Sequence, residues 1–474
     1  MKELHLKKND LNKLKRDISS IPSSVNTLIL DVYRDSLSDS NLDQAIGMLP
    51  NHVKHIKFRW VRASTKFAKV LAVLPKSVKT ITFSFGLGIH SEVDQVKKVL
   101  QAIPSTVENL YIYMDGVGFF SFNDSVVNPL KHVASNIKHI AIHTGMAYRT
   151  DMKTMQNYFK SLNPSLSGLY IYSFPSHEKV GASLFTLGLL PQTITYLNMS
   201  EFFIAGTLNV YEAASIFEQL PNSISTLVLE NNHLNYYGYD EIPLIFKALS
   251  HTNIRNLNLK SNGLFVDNPE SEIKVALDFM PNDFDSIDIT NNGLGVYTIP
   301  DIQDLASYLS SRSEEIILDE GGSLYVSVAE HIAFFQSLTP KTTSISFGAI
   351  TNYVDSSFEE YLQVIKSFPK FIKKIGLKNT PLGTSFTFSQ LKSIFSALPK
   401  NLQSLDLRNT ELCKLTQEQL SELLQVLPLS LKEINLARNE FETRFSSEEI
   451  ESILDALPSN GKTIIISELV FEGI

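Results

Sequence analysis

A single cysteine, Cys413, stands in 474 residues. It has no partner for an intramolecular disulfide, so the chain is expected to work in a reducing environment such as a cytosol. No apolar run approaches the roughly 18 residues that a membrane-crossing helix needs. The basic residues of the opening MKELHLKKND have no apolar stretch behind them, which argues against a secretory signal. Charged residues make up only 19% of the chain against 43% apolar ones, a balance that excludes an intrinsically disordered protein. Positive charge is in deficit as well: the net charge of −8 argues against nucleic acid as a partner.

The motifs of common chemistries are also missing. There is no phosphate loop, no nucleophile elbow and no HExxH pair. Gly86-Leu-Gly88 and Gly116-Val-Gly118 follow predicted strands without the remaining spacing of a dinucleotide fingerprint. His139 and His143 fall four residues apart on one strand, about 13 Å from each other and too far to share a zinc ion. His52 and His55 flank a turn with no cysteine or acidic ligand beside them. Cys413 follows a strand pattern at a position where a small, half-buried residue is ordinary, and no paired base is evident. The sequence therefore predicts no catalytic residue, no metal and no cofactor.

What the chain does have is punctuation. Leu49-Pro50, Leu74-Pro75, Ile103-Pro104, Leu190-Pro191, Leu220-Pro221, Phe368-Pro369, Leu398-Pro399, Leu427-Pro428 and Leu457-Pro458 recur with degenerate copies between them, at a period close to 29 residues. After each stop comes LxxLxLxxNxL, clearest in Ile224-Leu227-Leu229-Asn232-Leu234, Ile254-Leu257-Leu259-Asn262-Leu264 and Leu431-Ile434-Leu436-Asn439-Phe441. The LxL alternation predicts a strand with both leucines inward and the residue between them outward. The Asn side chain is expected to satisfy backbone groups of the following bend. Thr380 and Thr410 take its slot near the C-terminus, and Gly86, Asp115 and Gly145 take it earlier, predicting a looser ladder there. Segments such as TQEQLSELLQVLP from Thr416 read as capped helices ended by the proline, and Ser446 with Glu449 and Ser356 with Glu359 have capping-box spacing.

Leu4, Leu6 and Asn9 fit the template at one end and Ile464 and Ile466 at the other, giving about seventeen strand positions and one domain, 1–474, of about 16 repeats. The pattern resembles the leucine-rich repeats of the ribonuclease-inhibitor-like subtype over essentially the whole chain. That resemblance implies an α/β solenoid shaped as a horseshoe, with parallel strands on the concave face and helices on the convex face. The Leu-Pro-x-Ser/Thr-Ile/Val phrase also resembles leucine-rich-repeat effectors that intracellular bacterial pathogens deliver by type IV secretion. By that resemblance the protein acts in the host cell cytoplasm or the bacterial cytoplasm.

The strand register selects the candidate binding residues. Residues 44–91 contain no Asp or Glu, and Lys57 and Arg59 fall on the concave face there. An aromatic stripe follows, made of Trp60, Phe85, Tyr111, Tyr113, Met114, His143, Tyr170, Tyr172 and Tyr196; such residues anchor protein interfaces, and they also pack against one another across strands. From Asp267 to Glu320 thirteen acidic residues face only Lys274 and Arg312, with Asp285, Asp288, Asp319 and Glu320 inward. The resulting reading is a non-enzymatic module, monomeric, that binds a host or bacterial protein on its concave face. The alternative is a regulator of a small GTPase, since Ran-type GTPase-activating proteins resemble this repeat subtype. The first strand lacks an evident cap, so self-association through that edge is the third expectation.

Overall fold

The computed structural model describes residues 2–7, 11–21, 25–31, 42–61, 63–85, 93–114, 132–143, 156, 159–172, 187–202, 204–238, 240–266, 270–280, 282–318, 326–348, 358–457 and 463–465. Two compact units emerge, Met1–Asn232 with Leu244–Ile254 and His233–Pro243 with Arg255–Ile474. The first contains strands β1 (Lys2–Lys7), β2 (Val25–Asp31), β3 (His55–Val61), β4 (Thr80–Phe85), β5 (Asn109–Met114), β6 (His139–His143), β7 (Gly168–Tyr172), β8 (Tyr196–Asn198) and β9 (Thr226–Val228). The second contains β10 (Asn256–Asn258), β11 (Phe284–Asp288), β12 (Ser313–Ile317), β13 (Ser344–Ser346), β14 (Lys374–Gly376), β15 (Ser404–Asp406), β16 (Glu433–Asn435) and β17 (Thr463–Ile465).

Within each unit every strand pairs in parallel with the next in sequence. Parallel neighbours need a crossover, which most repeats supply as a helix or a single helical turn. The motif positions meet across the ladder: Leu257, Ile287, Ile316, Ile345, Ile375, Leu405 and Ile434 are consecutive partners, each at most 2% exposed. Burying such a side chain contributes about 1.5–3 kcal/mol, and its recurrence on every rung fixes the register.

The Leu-Pro stop closes a turn through the proline's carbonyl rather than its ring alone. Val53, Val78, Val107, Ile194, Ile224, Ile372, Leu402 and Leu431 each donate a backbone N–H to the proline oxygen three residues earlier, at 3.0–3.2 Å. Degenerate copies make the same bond without proline, from Ile137 to Ala134 and from Leu166 to Asn163. The proline therefore favours a turn that the repeat forms anyway.

The ladder behaves as the motif predicts. Asn292 Nδ2 donates to Leu259 O, Ile289 O and Thr290 O, while its Oδ1 accepts from the N–H groups of Asn262 and Leu264. Nearer the C-terminus Asn439 ties its own turn to that of Thr410 in the same way, and Thr410 keeps one of these bonds, from its hydroxyl to Leu407 O at 2.7 Å. Gly86, Asp115, Gly145 and the cap Ser356 lie outside the described residues. The residue before each ladder position adopts a left-handed conformation, as Asn231, Ser261, Asn291, Asn379, Asn409 and Arg438 do with φ between 52 and 60°. Asn tolerates that region better than other side chains, which accounts for the paired asparagines at 231–232 and 291–292.

Helix starts are capped reciprocally at Ser446/Glu449 as expected, and also at Thr416/Gln419, Asn209/Glu212, Ser327/Glu330 and Thr387/Gln390. Behind the Ser327 cap, His331 is 6% exposed, with Nδ1 3.1 Å from Ser327 O and its ring against Phe347. Burial pushes its pKa down to about 4, partly opposed by the Ser327 bond. Because the folded pKa lies below the unfolded one, this His costs nothing above the unfolded value of 6.5. Stability is expected to fall as pH drops from there toward the folded value, by about 3 kcal/mol in all. Urea titrations across that window should show a shallower slope for His331→Phe; equal slopes for both proteins would refute the assignment.

Candidate functional site

Pleating makes the face opposite the buried leucines a set of rows, one residue per strand. In the first unit the middle row runs Lys57, Thr82, Tyr111, Ala141, Tyr170, Asn198 and Val228, each the partner of the next. The row before it contains His55, Thr80, Asn109, His139, Gly168 and Tyr196, paired in the same order. The sequence reading expected the middle row to be exposed. Instead Thr82, Ala141 and Tyr111 are buried and only Lys57 and Tyr170 are half-open, because rungs about 4.8 Å apart let large side chains cover small neighbours.

The tyrosines illustrate this. Tyr111 and Tyr170 stand two strands apart, yet their ring centroids are 5.8 Å from each other, since Ala141 between them offers only a methyl group. Tyr170 then leans on Tyr196 at 4.9 Å. Gly168, beside both, makes room for the His139 ring: a Cβ there would stand 2.2 Å from His139 Nδ1. Tyr170 is hydrogen-bonded through its side chain to Tyr111 and Tyr196, and Tyr196 also to Asn198. Burial first and Tyr111 second push Tyr170 up to about 12; burial and Tyr170 raise Tyr196. Both phenols are therefore neutral at physiological pH, and the cluster is an uncharged set of packed rings with Tyr170 half-open.

Positive charge lies on β3. Lys57 and Arg59 are half-buried there, while His55, with Nε2 2.8 Å from Thr82 Oγ1, is pushed down to about 4 by burial and then by Lys57, so it adds no charge at neutral pH. His139 is lowered too, by burial and by Lys138 against the opposing Glu108, and its Nδ1 has no hydrogen-bond partner among the described residues. Phe85, Tyr113, Met114, His143 and Tyr172 occupy β4 to β7 in the expected register, Tyr113 beside Ser84 and Tyr172 beside His143. Trp60 does not follow it. An irregularity between Phe58 and Val61 makes Val61, not Trp60, the partner of Phe85.

In the second unit Asp288 accepts the N–H of Thr290 at 3.0 Å. Asp285 sits at the strand entry, where Arg255 grips it through Nη2 at 2.6 Å and Nε at 3.1 Å. Arg255 also reaches Asp283, whose pKa it lowers first and Lys341 second. Asp278 pairs with Arg312 and Asp304 with Lys274. Much of the acidic run is thus compensated internally. Asp319 and Glu320 lie outside the described residues. Cys413 is buried, and burial followed by Glu440 raises its thiol pKa, the opposite of what a nucleophile needs.

Packing of the aromatics across strands was one of the two readings the sequence offered; the gaps that let rings two strands apart touch were missed. Their signal was the small residues Ala141 and Gly168, set among aromatics in successive repeats.

Parallel strands in repeat register, helical crossovers and an Asn/Thr turn ladder make this a leucine-rich-repeat fold, and in the first unit its sheet face carries a packed tyrosine cluster with two cations two strands away. A similar solved structure is the leucine-rich repeat-containing protein LegL7 from Legionella pneumophila, at 18% identity and a TM-score of 0.47, the match covering 76% of this chain and 90% of that one. No protein-family model matches the chain, and no curated protein does. Among the described residues no helix is long and apolar enough to cross a membrane.

Proposed function

We propose that this protein is a non-enzymatic binding module that grips a partner protein on the sheet face of its first unit, with Tyr170 at the centre and Lys57 and Arg59 at one side. The observation that carries this reading is the Tyr111–Tyr170–Tyr196 contact chain, which holds aromatic side chains in place before a partner arrives. Rings already fixed lose little freedom on binding, and tyrosine is among the residues that dominate interface energetics. Its Leu-Pro repeat phrasing supports the further reading of a bacterial effector acting on a host or bacterial protein.

Affinity capture from host-cell and bacterial lysates with the wild type, Tyr170→Ala and Tyr170→Phe tests it, after circular dichroism shows all three folded. A partner bound about tenfold or more weaker by Tyr170→Ala, and retained by Tyr170→Phe, is the expected result. Equal recovery by all three would place binding elsewhere on the molecule.

A further inference from the structure

We infer that the strand-exit rim of the second unit is a docking surface for a basic amphipathic helix of a partner protein. Three successive turns present an apolar side chain at the same position. Tyr236 is 60% exposed and Val296 51%, with the half-buried Val266 between them and Ile299, 43% exposed, beside the last. The backbone sets each one identically: Tyr236, Val266 and Val296 donate to the carbonyls of His233, Gly263 and Gly293, which open their turns in the left-handed region. The turns are stacked, Asn235 N on Asn262 O at 3.1 Å and Phe265 N on Asn292 O at 2.9 Å. Rungs about 4.8 Å apart nearly match the 5.4 Å pitch of a helix, so the row fits side chains on successive turns of a helix laid along it.

Charge selects the kind of helix. Residues 233–243 and 255–312 hold eleven acidic residues against Arg255, Lys260, Lys274 and Arg312, the last paired with Asp278. Arg255 and Lys274 are already occupied by Asp283, Asp285 and Asp304. Among the described residues, the acids that follow the first and last of these turns in the chain are Asp240, Glu241 and Asp301. Glu241 accepts from Gly238 N and Asp301 from Thr298 N; these capping roles leave their negative charge in place, and none of the three pairs with a described cation. An apolar row bordered by carboxylates fits a helix whose leucine-type face is flanked by Lys or Arg, and repels nucleic acid and anionic membranes.

The test titrates the full chain with three labelled synthetic peptides and follows anisotropy: an amphipathic Leu/Lys helix, a scrambled peptide of the same composition, and the amphipathic peptide with Glu for every Lys. The expected result is binding of the first about tenfold tighter than the second, no binding of the third, and weakening by added salt. Tyr236→Ser/Val296→Ser, changing only exposed side chains, should erase the tenfold preference, and Asp240→Lys should reduce it. Equal binding of the scrambled or Glu peptide, an unaltered double variant, or a preference for anionic vesicles would overturn the proposal. Tyr170→Ala leaves this binding unchanged, which separates it from the sheet-face reading.

Discussion

Replacing Asn292 by alanine is expected to lower the free energy of unfolding by roughly 3–5 kcal/mol, although the change removes only a few atoms. Asn292 is 0% exposed and spans two turns: three carbonyls lose their donor and two N–H groups lose their acceptor. Each of these groups lies inside the stack, where an unpaired polar atom costs about 1–3 kcal/mol and partial relaxation recovers some of it. Asn292→Thr should lose less, since Thr410 occupies the same slot and keeps one bond. The neighbouring Asn291→Gly retains the left-handed backbone and loses a single side-chain bond, from Nδ2 to Ser261 Oγ, so it should cost only about 1 kcal/mol. Repeat arrays need not unfold in one step, so urea midpoints should be read together with hydrogen exchange at the Asn262 and Leu264 amides. A loss under about 1 kcal/mol, or unchanged protection at those amides, would mean that the ladder is dispensable.

Gly383→Ala sets local preference against the stack. Gly383 lies in the helical turn Leu382–Ser385 with no left-handed backbone, so helix propensity alone predicts a gain of about 1 kcal/mol. The added Cβ, however, would stand 2.1 Å from Glu411 O and 2.6 Å from its carbonyl carbon, and those atoms are backbone of the next turn. Gly383 N donates to Thr410 O at 3.0 Å, so the two turns cannot separate without breaking that bond. The expected outcome is destabilisation by about 2–3 kcal/mol. Gly47→Ala is the control: its Cβ meets nothing nearer than 3.4 Å, and the substitution should be neutral or slightly stabilising. Thermal melts that rank Gly383→Ala above wild type would show that the turns slide past each other more easily than packed backbone allows.

The periodic features were legible because each is settled by a repeat and its immediate neighbours in the chain. Leu257, Ile287 and Leu405 alternate with polar residues and end up buried. Ser446 and Glu449 lie three residues apart and cap each other. The Asp285 ion pair was available to the same reading, since Arg255 and Asp285 hold equivalent places in successive repeats. The one-residue slip between Phe58 and Val61 was not, because nothing in FRWV departs from an ordinary strand.

By itself the sequence determined the strand positions, the Leu-Pro turns, the Asn/Thr ladder and the outward rows from which a binding face is built. These rest on backbone hydrogen bonds and on alternation of period two, both encoded in a few consecutive residues. Only the tertiary structure decided that Tyr111 is covered while Tyr170 stays half-open, that Ala141 and Gly168 are the gaps into which rings fold, and that Gly383 tolerates no Cβ. Those outcomes depend on side-chain volume and distance between rungs about 4.8 Å apart in space but a full repeat apart in the chain, a spacing set by the stacked backbone.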